Sequence, residues 1–303
     1  MQIELELLAP AKNKSIGIAA IDCGADAVYI AGPKFGAREA AGNTIEDIAQ
    51  LAAYAHKYGA KVYMVVNTIL YDNELQEAKQ SIIDAYNAGC DAIIIQDLGL
   101  LMMDLPPIEL HASTQTNIRT VEQAKFLESL GFGRLILARE LSIEQIKEIR
   151  ESTIAELESF IHGALCVSYS GQCYLSQKIT GRSANRGCCA QACRSDYSLI
   201  DATGELVKDS NGKPLVKNQP ILSLKDLNLS NKISQVIKSG ITSFKIEGRL
   251  KNESYIRNIV LHYRRLIDKF ILENNGYRRA SLGVCTGGFT TNPYLTFNRG
   301  YTE

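Results

Sequence analysis

The chain reads as an α/β protein folded into a TIM-like (β/α)8 barrel, with a cysteine-rich insertion and a β-hairpin between strands seven and eight. Three observations lead there. Five times an amphipathic helix runs into a glycine and a strand follows: AIDCGADAVYI, AHKYGAKVYMVV, AYNAGCDAIIIQD, LESLGFGRLILAR and VIKSGITSFKIEGR. Each glycine (Gly24, Gly59, Gly89, Gly131, Gly240) fits the left-handed end of a helix. Most of the strands that follow are largely apolar, as strands covered on both faces must be, and helix–strand alternation of this kind builds parallel sheets.

Strands are expected at residues 5–9, 27–31, 62–67, 92–97, 108–113, 135–139, 158–163 and 244–247. Helices are expected at 45–57, 74–88, 121–130, 143–151 and 226–238, and a long last one runs from 255 to 273 until Asn274-Asn275-Gly276 stops it. Eight strands favour closure into a barrel. A doubly wound sheet is the alternative, but the turn after the first strand, LLAPAKNKS, has no GxGxxG phosphate loop. Residues 1–280 form the predicted barrel domain, including a cysteine-rich loop at 164–194 and a hairpin at 195–222 turning at Ser210-Asn211-Gly212. Residues 281–303 are rich in glycine and aromatics and read as the start of a C-terminal segment of a chain that continues.

Composition narrows the class. With 303 residues, 46% hydrophobic and 22% charged, the chain is long enough for one large core. Its 33 basic and 33 acidic residues cancel, which argues against a general polyanion binder but leaves local basic patches able to grip an RNA. No apolar run is long enough to span a bilayer, and MQIELELLAPAKNKS lacks the basic and apolar regions of a signal peptide. A cytoplasmic protein without membrane partners is the expectation.

Five of the eight cysteines fall between Cys166 and Cys193, in CVSYSGQCYLSQKITGRSANRGCCAQACR. Cys166 and Cys173 stand as C-x6-C, Cys189 and Cys193 as C-x3-C, with Cys188 as a neighbour. Two pairs of thiolates suit a soft metal centre, and an iron–sulfur cluster tolerates such unequal spacing. Zinc usually takes tighter knuckles, disulfides need an oxidising compartment, and free cysteines in a mobile loop are the plainest alternative. Cys23 and Cys90 sit in helix-to-strand turns, where a small buried hydrophobe is the expected role.

In such a barrel the C-terminal ends of the strands form the active face. The polar residues expected there are Asn67, Gln96, Asp97, His111, Ser113, Gln115, Asn117, Arg139, Glu140, His162, Lys245, Glu247 and Arg249. Strand alternation puts Glu109, His111 and Ser113 on one side. A ring of donors and acceptors containing Arg and His suits a small anionic molecule. The cysteine loop leaves strand seven on the same face and adds Lys178, Arg182, Arg186 and Arg194 with no acid between them. Such cations favour thiolates and contact phosphates.

ESFIHGALCVSYSGQCYLS, residues 158–176, resembles the signature of the collagenase-like peptidase family U32 at Glu158, Phe160, Gly163, Ala164, Leu165, Cys166, Gly171, Cys173, Leu175 and Ser176. ELLAPAKN, GADAVYIAG, FGAREAAGN and SFKIEGRLKN resemble it too, so the similarity spans essentially the whole chain. SGQCYLSQKITGRSANRG-x-CAQACR looks most like the branch that hydroxylates bacterial tRNA or rRNA. That resemblance implies oxygen-independent hydroxylation of a tRNA wobble uridine or a 23S rRNA cytidine. It implies a 4Fe-4S cluster on Cys166, Cys173, Cys189 and Cys193, replaceable by zinc or lost in air, and leaves open whether Cys188 takes the place of Cys189. It also implies a prephenate-like dicarboxylate as hydroxyl source and a partner subunit of the family. Expected roles are catalytic for His111, Arg139, His162, Lys245 and Glu247. Asn67, Asp97, Gln115, Arg182, Arg186, Arg194 and Arg249 are expected to hold substrate or RNA.

The family name also raises proteolysis. A cysteine protease needs a thiolate beside a histidine, and His162, four residues before Cys166, and His111 are the candidates. No HExxH or other zinc-protease motif is present. A non-enzymatic iron–sulfur scaffold is the third possibility.

Overall fold

Side-chain caps and left-handed glycines set the boundaries of most elements. In the computed structural model, which describes residues 2–36, 42–248 and 251–303, Asn13, Thr44, Thr120 and Ser142 each accept a backbone N–H at a helix start. The five glycines read as helix ends all have positive φ, between 64° and 97°.

Strands β1 (Ile3–Ala11), β2 (Ala27–Ala31), β3 (Lys61–Val66), β4 (Ala92–Ile95), β5 (Glu109–Ala112), β6 (Arg134–Ile136) and β7 (Glu156–Ala164) pair side by side in chain order, all parallel. A short strand, β8 (Asp226–Asn228), runs antiparallel to the end of β7. Then β9 (Ser243–Ile246) pairs in parallel with both β7 and β1 and closes the ring of eight. Two additions lie outside it: β10 (Tyr277–Arg279) along the start of β1, and β11 (Tyr301–Thr302) along β8.

Helices α1 (Lys14–Asp22), α2 (Ile45–His56), α3 (Leu75–Asn87), α4 (Val121–Ser129) and α5 (Ile143–Ser152) connect the strands. After them come α6 (Leu175–Thr180) in the cysteine excursion, then α7 (Ile233–Lys238) and α8 (Glu253–Glu273). Period-two alternation divides the apolar residues into two cores. Leu7, Val28, Met64 and Ile93 face outward against helix residues such as Leu51 and Ile82. Leu8, Tyr29, Tyr63, Val65, Ile94, Ile136 and Phe160 fill the lumen. Among the described residues, no helix is long and apolar enough to cross a membrane.

Three details differ from the sequence reading. Strands β3 to β6 stop one to three residues short of their expected ends, because the polar residues there leave the ladder and turn over the barrel mouth. The helix expected over 226–238 begins only at Ile233. Leu227 is drawn into the lumen and the Asn228 side chain accepts from Ser230, which favours a strand and a turn there. Finally, the segment expected to form one hairpin turns twice. Gly204 N–H bonds the Asp201 carbonyl and Gly212 N–H the Asp209 carbonyl, giving three short antiparallel runs joined by isolated bridges.

Candidate functional site

Charged residues occupy the lower lumen. Glu6, Arg134, Glu158, Ser243 and Lys245 are all buried. Arg134 donates to Glu6, Glu156 and Glu158, and Lys245 Nζ donates to Glu158 Oε1 at 2.7 Å. Buried charges are tolerable only when paired and hydrogen-bonded, and this chain of alternating signs meets that condition. Burial pushes the Glu6 carboxyl up, but the Arg134 charge and hydrogen bonds from Arg134, Tyr63 and Ser243 overcome it and bring the pKa down to about 2. Burial, followed by the Arg134 charge, pushes His111 down and holds it neutral.

Above this layer lies a cavity of about 320 Å³, near the lower end of small-molecule pockets at roughly 300–1,000 Å³. Tyr29, Val65, Ile94, Ile136, Phe160 and Lys245 line its deep part. The Lys245 ammonium lies 4.4 Å from the Tyr29 ring centroid, and Tyr29 Oη donates to the Ile246 carbonyl. Asn67, Ser113, Gln115, Arg139 and Glu247 line it nearer the mouth. Asn67 Nδ2 donates to Ser113 Oγ at 3.4 Å, and the half-buried Arg139 guanidinium stands 5.8 Å from the Phe160 ring. Among the described residues Arg139 makes no ion pair, so a cation is available to an anionic ligand inside a largely apolar chamber.

The cysteine excursion roofs the same cavity. Cys166, Cys173, Cys189 and Cys193 all line it, and no disulfide joins any of the eight cysteines among the described residues. Burial raises the Cys193 pKa, and the charges of Cys166, Cys189 and Cys173 raise it further against the opposing pull of Arg194. Four thiols lining one cavity are the soft donor type that an iron–sulfur cluster or another thiophilic metal takes. Among the described residues, no group of three or more His, Cys, Asp or Glu side chains is gathered closely enough to hold a metal ion. Cys188 does not line the cavity; its charge acts on Arg186, which makes Cys189 the cavity-facing member of the pair.

Several expected site residues have other partners. His162 is turned away from the mouth by a register shift between Phe160 and His162, and it packs among Tyr255, Tyr263 and Tyr301. Burial, then the charges of His262 and Lys251, bring its pKa down to about 3. His111 does not line the cavity; its Nε2 lies 3.0 Å from Glu109 Oε1. Asp97 caps a 3-10 turn, accepting from Gly99 and Leu70 N–H. Arg186 is paired bidentately with Glu74 and stacked on Tyr71, while Arg194 is bonded to Leu165, Ser223 and Leu224. Both arginines staple the excursion in place. Arg249 lies outside the described residues. Lys178 and Arg182 are exposed, without ion pairs among the described residues.

Sequence reasoning passed over Tyr29 and Phe160 as parts of the cavity, and over Glu158 as the partner of Lys245 beneath it. Alternation along AVYIA and ESFIHGA carried the signal for the first two, since every second residue of a barrel strand faces the lumen. The Glu74–Arg186 staple, 112 residues apart, left no local signal.

A parallel eight-stranded barrel whose mouth is roofed by a loop carrying four thiols, over a chamber lined by Arg139 and Lys245, defines the class as a TIM-like α/β barrel protein. The chain belongs to Peptidase family U32, whose profile it matches over residues 12–303. It is 51% identical over 299 residues to the 23S rRNA 5-hydroxycytidine C2501 synthase of Escherichia coli (strain K12), covering 99% of this chain and 45% of that protein. It is 37% identical over 311 residues to tRNA hydroxylation protein P1 of Bacillus subtilis (strain 168), covering 98% of this chain and 72% of the relative. The chain thus spans about half the length of the first relative and about three quarters of the second. A solved U32 peptidase, Mk0906, superposes with a TM-score of 0.51 at 12% identity, covering 82% of this chain and 94% of that one, and shares the fold.

Proposed function

We propose that this chain is the barrel of an RNA-base hydroxylase that acts first on a cytidine of large-subunit rRNA, with a tRNA wobble uridine as the second candidate. The observation that carries it is the sharing of one cavity by four thiols, Arg139 and Lys245. The 51% identity to an rRNA cytidine hydroxylase favours the rRNA base. In this reading Cys166, Cys173, Cys189 and Cys193 would hold a 4Fe-4S cluster, which would supply one-electron chemistry without molecular oxygen. Arg139 fixes the carboxylate of a prephenate-like donor, and Glu158 orients the Lys245 ammonium at the cavity floor. The apolar walls from Val65, Ile94 and Ile136 exclude water around them. An unpaired base reaches the mouth from a single-stranded loop. RNA as substrate makes the cytoplasm the place of action, and residues beyond this barrel or a partner subunit complete the RNA grip.

Proteolysis by a Cys–His pair is not favoured, because His111 is bonded to Glu109 and His162 is enclosed by tyrosines. Mass spectrometry of rRNA and tRNA from a deletion strain tests the proposal. The 5-hydroxycytidine mark should vanish from the rRNA and return on complementation. Unchanged hydroxycytidine and hydroxyuridine marks would overturn it.

A further inference from the structure

Two tyrosines stand on either side of Cys173 in the run C-V-S-Y-S-G-Q-C-Y, and both line the cavity while remaining open to solvent. Tyr169 is 59% exposed and Tyr174 64% exposed. An exposed aromatic on a loose loop would mean little, but this stretch is pinned. Ser170 donates through its N–H and Oγ to Glu140, and Gly171 packs so closely on Gln115 that an added Cβ would sit 2.0 Å from the Gln115 carbonyl oxygen. The Arg119 guanidinium lies 4.1 Å from the Tyr169 ring centroid, and its Nε is buried without a hydrogen-bond partner among the described residues. An arginine held for stacking alone, on a tyrosine whose surface is still mostly open, is a prepared π surface.

Charge selects the occupant. From Gly163 to Ser195 the chain has no acidic residue, and the exposed Lys178 and Arg182 follow Tyr174 closely. Aromatic faces beside unpaired cations are the features that hold single-stranded nucleic acid, the rings taking bases and the cations taking phosphates. Val167 and Ile179 are exposed in the same stretch, but the cations of Lys178 and Arg182 and the absence of acids favour a polyanion over an apolar protein surface.

We propose that Tyr169 and Tyr174 are the base-stacking residues of an unpaired RNA segment at the cavity mouth, with Lys178 and Arg182 holding the flanking phosphates. The inference rests on the RNA reading above and names the surface that presents the base. Tyr169 stacks a base on the surface that Arg119 leaves open, and Tyr174 stacks a second base or the target itself. The pinned loop reduces the ordering cost of the contact.

The test is fluorescence anisotropy of the full-length protein with a labelled ten-nucleotide single-stranded RNA and with a duplex of the same length. Wild type should prefer the single strand. Tyr169→Ala and Tyr174→Ala should each weaken single-strand binding about tenfold, within the range for loss of one aromatic–base stack. Tyr169→Phe and Tyr174→Phe keep the ring and should stay within about twofold of wild type. Lys178→Ala with Arg182→Ala should weaken strand and duplex alike and flatten the salt dependence. Alanine variants that bind like wild type, or phenylalanine variants as weak as alanine, would overturn the stacking role. So would a wild type that does not distinguish strand from duplex. Returning the variants to a deletion strain separates the two levels. Marks that persist in the deletion strain sink the hydroxylation reading itself. Marks lost on deletion but fully restored by the Tyr169→Ala, Tyr174→Ala double variant sink only the stacking inference.

Discussion

His162 shows how a residue's chemistry follows from its enclosure. The motif SFIHGALC places it four residues before Cys166, which in sequence suggests a catalytic pair. In the fold its Nδ1 lies 3.3 Å from Tyr263 Oη and its Nε2 3.5 Å from Tyr301 Oη. With its pKa brought down to about 3 from 6.5, the neutral ring is the form the fold holds. Its contribution is therefore complete above pH 6.5 and is lost as the pH falls from 6.5 towards 3, by about 1.4 kcal/mol per pH unit. Urea unfolding at pH 7.5 and pH 5 checks this. His162→Gln should lose less stability than wild type across that interval, by about 2 kcal/mol. An equal loss in both would show that the ring is already charged or unconstrained. Lys245, Glu247 and Arg139 were legible as cavity residues, because they stand at or just beyond the C-terminal ends of β9 and β6. His111, expected at the mouth, stands in register with Arg134 of β6, so its ring joins the layer of Glu109 and Arg134 and does not line the cavity.

At the scale of elements, the cysteine excursion behaves as a roof fixed at several points. Ala190 N–H donates to Ser176 Oγ across its two halves, Arg186 ties it to Glu74, and Arg194 ties it to the Leu165 carbonyl. Gly171 is the tightest of these points, with φ of 72° and no room for a Cβ. Gly171→Ala should lift the Cys166–Cys173 half off the mouth and leave the barrel intact. Thiol titration should then show faster modification of Cys166 and Cys173 while far-ultraviolet circular dichroism stays unchanged. Protection equal to wild type would mean the roof does not depend on that contact. The clustering of the thiols was readable because they come in local pairs, whereas the staples join segments far apart and were not. The misassigned stretch at 226–238 has the same origin: Leu227 and Leu229 suit a helix locally, but the lumen and the Ile161 carbonyl claim Leu227 and the Leu229 N–H.

Across the whole molecule, closure of eight parallel strands fixes where chemistry can occur. The lower lumen is filled by the Glu6–Arg134–Glu158–Lys245 network, the middle by aromatic and branched side chains, and the cavity described above lies at the C-terminal ends under the excursion. The repeat of helix, glycine and buried strand made the barrel legible. The polar network inside it was not, because Glu6, Arg134 and Glu158 meet only once the ring has closed. The account stands on the four cavity thiols acting together as one ligand set. Anaerobic reconstitution of the full-length protein with iron and sulfide, followed by iron and acid-labile sulfide analysis and absorbance spectra, tests that most directly. Wild type and Cys188→Ala should bind about four irons per chain, and alanine at Cys166, Cys173, Cys189 or Cys193 should abolish or strongly reduce binding. Iron retained equally by those four variants, or lost only with Cys188→Ala, would contradict it.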